Sequence, residues 1–195
     1  MHGLINRAIQ CFVADTYGRD AWIAVTHRAD LGFSEFEAMM TYPEELTPRV
    51  LDAACRELAK ARDELLEDIG TYLVSHPQAE AVRRLLRFGG VTFLDFLHSL
   101  DDLPERARLA VSDLVLPALD LVEHRPGHYT LHVHAQQEGF GPVLLGVLRA
   151  MADDYGALVF TELRPAGPGR DAIEITLYAT AYAEGRRFEL GGGAG

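Results

Sequence analysis

LRFGGVTFLDFLHSLDDLPERARLAVSDLVLP, residues 86 to 117, holds the most readable helix signals of the chain. Gly89-Gly90 ends one helix. Thr92 is placed to cap the next, and the apolar spacing behind it predicts a helix from Phe93 to about Asp102. After Ser112 the apolar period changes from that of a helix to that of a strand. The stretch therefore divides a helical half from a strand-rich half.

Upstream, Leu4, Ile5, Ala8, Ile9, Phe12 and Val13 recur at helical spacing and predict an amphipathic helix over 3–16, closed at Tyr17-Gly18. Asp20 can cap a second helix carrying Trp22, Ile23 and Val25. Ser34 with Glu37 has the spacing of a capping box and predicts a short helix through Met40, stopped by Pro43. Thr47-Pro48 starts another, with Val50, Leu51, Ala54 and Leu58 as its buried stripe. A helix over 63–75 and one opened by Pro77 complete this half.

Downstream, 115–123 and 128–136 alternate apolar and polar about the turn Arg125-Pro126-Gly127, the pattern of a β-hairpin. Residues 140–155 return to helical period, and Gly156 caps them. Two further strands, 157–163 and 172–182, flank a Pro/Gly turn at 165–170. The sum is an α+β fold, a helical N-terminal lobe plus an antiparallel four-stranded sheet with one packed helix. It forms one domain over 1–182, with lobes of about 1–112 and 113–182, and a flexible tail over 183–195.

Composition narrows the function. Eighteen Lys and Arg against 29 Asp and Glu give a net charge of −11, which excludes the basic surface a nucleic-acid binder needs. Cys11 and Cys55 form no CxxC and suit buried thiols in a reducing cytoplasm. No apolar run approaches the roughly 20 residues that span a bilayer, and the N-terminus lacks the pattern of a secretion signal. The expectation is a cytoplasmic protein with no membrane or nucleic-acid partner.

Catalytic chemistry has little to stand on. The acidic runs at 63–68 and 101–105 have the spacing of solvated helix faces. Gly89-Gly90 lacks the lysine and the frame of a phosphate loop. His128, His132 and His134 share one strand face, with His124 on its neighbour, which is the geometry of a solvent-facing sheet more often than of a zinc site. His76 stands at a helix end, where the dipole favours it. The expectation is a protein that is not an enzyme.

The chain resembles the H-NOX (haem–nitric oxide/oxygen binding) family, which includes the sensor of soluble guanylate cyclase. The resemblance is carried by MHGLINRAI at 1–9, TyrGly at 17–18, Trp22, LeuArgPheGlyGly at 86–90, the segment 93–103 and Glu138-Gly139-Phe140, in that order across nearly the whole chain. It implies b-type haem between the lobes, a proximal histidine on the helix of the opening stretch, and a Tyr-x-Ser-x-Arg strand motif that binds the propionates. It further implies that gas binding shifts the haem and this helix, and that a histidine kinase, cyclase or chemoreceptor reads the change.

Carried over residue by residue, the resemblance places Ile5, Ile9, Leu73, Leu100, Pro104, Pro117 and Val143 at the pocket. The ligand position after Leu100-Asp101-Asp102-Leu103 is Pro104, which has no lone pair for a metal. The propionate motif reads Val133, Ala135 and Gln137, without the guanidinium fork that suits a carboxylate. His98 is the fallback ligand. It lies six residues before Pro104, and in a continuous helix it points about 120° away from that position. Ile5, Ile9 and Val143 give an apolar distal side, which with haem present favours nitric oxide or carbon monoxide over oxygen. Two readings follow: a stand-alone haem-based nitric oxide sensor with an unorthodox ligand, or a haem-free scaffold that acts by protein–protein interaction or on another apolar ligand.

Overall fold

A computed structural model describes residues 3–135, 137–167 and 169–179. The expected strand ends at 136 and 180–182, and the expected tail over 183–195, lie outside the described residues.

Helix α1 (Gly3–Tyr17) buries Ile9, Phe12 and Val13, and α2 (Arg19–Arg28) follows after Gly18, whose φ of 96° reverses the chain. Helix α3 (Leu46–Leu58) has Pro48 in its first turn. Helix α4 (Arg62–Ser75) and a short 3₁₀ turn (Pro77–Ala79) lead into α5 (Glu80–Arg87). Helix α6 (Phe93–His98) carries the expected cap: Thr92 Oγ1 accepts from the Asp95 N–H at 3.1 Å, and Asp95 Oδ2 accepts from the Thr92 N–H at 2.9 Å.

Asp20 lies inside the first turn of α2, whose N-cap is Gly18, rather than capping the helix as expected, and two further expectations need correction. The Ser34–Met40 segment is not a helix. Its donors and acceptors are taken by other elements: the Phe36 N–H donates to Gln10 Oε1 at 2.8 Å, Arg7 donates to the Phe36 carbonyl, and Trp22 Nε1 donates to the Ser34 carbonyl. Burial of Phe36, fully enclosed, fixes that non-helical path.

The second correction concerns Pro104. The helix from Phe93 ends at His98, four residues short of the expectation, and α7 (Leu103–Ala110) starts afresh with Pro104 in its first turn. Proline cannot donate back to Leu100 to continue the earlier helix, but at a helix start its missing N–H goes unmissed. His98 and Pro104 therefore lie on separate helices, and the 120° offset of a continuous helix does not hold between them.

The sheet comprises β1 (Ala118–Arg125), β2 (His128–His134), β3 (Leu158–Gly167) and β4 (Arg170–Ala179), in the order β1-β2-β4-β3, every pair antiparallel. Pro126-Gly127, with φ 81° at the glycine, closes the first hairpin. Helix α8 (Phe140–Tyr155) covers one face. Tyr129, Leu131 and Val133 of β2 and Ile173 and Ile175 of β4 point beneath it, all nearly sealed from solvent.

Two apolar cores result. One fills the space among α1–α4. The other joins the sheet and α8 to Leu86, Phe93, Phe96, Leu97, Leu100 and Leu103, so α5–α7 pack with the sheet although they precede it in sequence. The halves meet along α4 and α8. A Cβ on Gly70 would press into the Val143 carbonyl, and one on Gly146 would press into the Glu67 carbonyl. The two helices therefore touch backbone to backbone.

Candidate functional site

A groove of about 250 Å³ opens between the lobes. Ile5 of α1 and Thr41 and Glu44 from the loop before α3 form one side. Asp113 and Val115 to Pro117, on the link from α7 to β1, form the other, with Ala135, Gln137 and Phe140 at the passage from β2 into α8. Both charged lining residues, Glu44 and Asp113, are acidic. Nearby, burial raises the Asp171 carboxyl above its ordinary value, the Gly141 N–H opposes this, and Asp63 and Glu138 raise it further. Asp171 pairs with Val133 across β2 and β4, so both side chains leave the same face.

The expected pocket residues divide between this groove and the two cores. Ile5 and Pro117 line the groove. Ile9, 4 % exposed, belongs to the helical core, and Leu73 and Val143 pack against that core from α4 and α8. Leu100, 1 % exposed, lies in the sheet core. Pro104 is half-buried on α7, and the residues lining the groove come from neither α6 nor α7. His98 is exposed at the end of α6, its ring edge-on to Tyr129 at 6.1 Å.

These residues do not fit haem as the resemblance expects it to be held. Position 104 offers no donor atom. Val133 is buried among apolar side chains, and Ala135 and Gln137 carry no positive charge toward a propionate. Among the described residues no group of three His, Cys, Asp or Glu side chains is placed to hold a metal ion. The strand histidines are engaged at the sheet surface: His124 with Thr130 Oγ1 at 2.8 Å, His128 with Thr176 Oγ1 at 3.4 Å, and His132 stacked with His134.

Two polar clusters escaped the sequence reading. The Tyr72 hydroxyl donates to Asp15 Oδ2 at 2.6 Å, and the Tyr72 ring stacks on His76 at 4.6 Å. Burial, then Asp15, holds the Tyr72 phenol well above its usual range, so it remains a donor. At the far end of α8, Asp154 is enclosed by Arg83 and Arg87 of α5. Each cluster spans more than 50 residues of chain, a separation that leaves no local signal. Cys11 and Cys55 are free thiols, and burial pushes both above their usual value, which disfavours the nucleophilic thiolate. No helix among the described residues is long and apolar enough to cross a membrane.

Comparison with known proteins places this geometry. Soluble guanylate cyclase 89Da of Drosophila melanogaster is 23% identical over 158 residues, 81% of this chain and 24% of the cyclase. Soluble guanylate cyclase gcy-31 of Caenorhabditis elegans is 26% identical over 154 residues, 79% of this chain and 22% of the cyclase. The chain thus spans about a quarter of the length of the relatives it matches. The fold is that of the Fe(II) unliganded H-NOX protein from K. algicida, with a TM-score of 0.79 at 15% identity over 94% of this chain and 100% of that one. It is equally that of an H-NOX protein from S. oneidensis in the Fe(II)NO ligation state, with a TM-score of 0.76 at 13% identity over 92% of this chain and 100% of that one. Residues 2–162 match the Haem-NO-binding family model, and the chain belongs to that family, the H-NOX family of haem-based gas-sensor modules.

Proposed function

We propose that this chain is a sensory module whose conformation is read by a separate signalling protein, a histidine kinase, cyclase or chemoreceptor. The observation that carries the reading is the α4–α8 junction, in a chain of a sensor family. Backbone contact at Gly70 and Gly146 leaves no flexible side chain to absorb a displacement, so a shift of one lobe moves the other. The chain's likeness to part of the guanylate cyclases fits such a partner.

Nitric oxide sensing through haem b is the activity the family brings to this reading. Of the expected apolar distal residues, Ile5 alone lines the groove, and it suits a gas that needs no hydrogen-bond donor. On this chain the chemistry also requires an iron ligand other than residue 104 and propionate partners other than residues 133, 135 and 137.

The test uses the purified chain and the kinase, cyclase or receptor-coupled kinase encoded beside it. Adding the chain should change the partner's turnover, and Gly146→Ala, which wedges α8 from α4, should change the size of that effect. Unaltered turnover with every such neighbour sinks the proposal.

A further inference from the structure

We infer that this chain does not take haem at the family's site, because the groove between its lobes is small, its two charged lining residues are carboxylates, and the usual ligand position is a proline. The inference goes beyond the signalling role and does not depend on it, since a haem-free module can still control a partner.

Volume is the first ground. Pockets for drug-sized ligands run from about 300 to 1,000 Å³. The groove measures about 250 Å³, too small to enclose a porphyrin macrocycle. The core of the sheet half is packed. Leu100, Leu103, Val133 and Leu144 are 1, 7, 1 and 8 % exposed and belong to one continuous core. Opening it for a macrocycle means undoing well-packed contacts.

Charge is the second ground. A propionate is an anion and needs donors or cations. Here the groove presents Glu44 and Asp113, and Asp171 leaves the same sheet face as Val133. Asp171 already occupies the Gly141 N–H at the start of α8, a donor that could otherwise have served an anion. Two propionates would find no Lys, Arg or His among the described residues that line the groove.

Ligation is the third ground. Pro104 supplies no donor, and His98, the nearest histidine in sequence, is solvent-exposed against Tyr129 with no α6 residue lining the groove. Space, charge and donor set all change in the same direction.

The experiment is a haem titration of the purified full chain, with its melting curve recorded first, and the K. algicida H-NOX protein treated in parallel. Apomyoglobin is then added to strip loosely held haem. The expected result is no stoichiometric Soret band and an unshifted melting temperature. A weak band lost completely to apomyoglobin, while the control keeps its band, is the same result, because adsorption to apolar surface is not a site. A 1:1 Soret band that survives the challenge and shifts with nitric oxide overturns the inference. Loss of the partner effect alone would count against the signalling role and leave this inference standing.

Discussion

Gly70 of α4 lies against the main-chain carbonyl of Val143 in α8, so close that a single methyl group would not fit. Gly146 repeats the arrangement against Glu67. Backbone cannot step aside as a side chain can. Gly70→Ala should therefore destabilise by about 1–3 kcal/mol through overpacking, despite the better helix propensity of alanine. Urea denaturation followed by circular dichroism measures this. A neutral or stabilising result would show that the helices part without cost, and the rigid coupling between lobes would fall with it.

A second prediction concerns the clamp at the other end of α8. Arg83 donates from Nε and Nη2 to Asp154 Oδ1 at 3.0 and 2.5 Å, and Arg87 lies 3.3 Å from Oδ2 while stacking on the Tyr155 ring. The Asp154 side chain is only 4 % exposed. Asp154→Ala leaves two guanidinium groups partly buried without their anion, and should cost about 3–5 kcal/mol. Arg84→Ala removes an exposed pair with Glu80 on the same helix and should cost about 0.5 kcal/mol or less. Equal losses for the two would mean that burial of Asp154 has no energetic consequence.

These residues show what the sequence could disclose. The helices and strands came from apolar period, and the Thr92–Asp95 cap from residue type and spacing, because both are local. The break at 99–102 left no mark in the apolar spacing, which runs on from Phe93 to Leu103, whereas Pro104 stands in the first turn of a new helix. Ser34 and Glu37 had capping-box spacing, yet Gln10, Arg7 and Tyr42 took the backbone groups that a helix there needed. The site was the least legible part. Ile5 and Pro117 do reach the groove, but Glu44 and Asp113 meet there from positions 69 residues apart. No periodicity reports such a meeting, and none reports that Leu100 turns into the sheet core.

The α6 cap gives a prediction readable by titration. Asp95 accepts N–H donors from Thr92 and Val91, and these bonds hold its carboxyl below the usual 3.8. A carboxyl lowered in the folded state contributes stability above its unfolded value, and loses it as pH falls through the folded value. NMR titration of the Asp95 side chain should place its midpoint below 3.8. Thr92→Ala should move the midpoint upward and destabilise by about 1 kcal/mol at neutral pH. A midpoint at or above that of an unfolded aspartate would show that the cap does not form in solution.

Asp171 should behave in the opposite sense. Burial is the main reason its carboxyl is raised above 3.8, with Asp63 and Glu138 adding to the effect and the Gly141 N–H working against it. In the folded chain this group binds its proton more tightly than in the unfolded chain. Its contribution is therefore fully favourable below the unfolded value and is lost as pH rises through the raised folded value. Asp171→Asn removes the titration and keeps an oxygen that can accept from Gly141. The stability of the variant relative to the natural chain, measured by urea denaturation at a series of pH values, should rise as pH increases from about 4 and level off above the folded value. A difference that stays constant across the series would show that Asp171 feels neither the burial nor the neighbouring carboxylates.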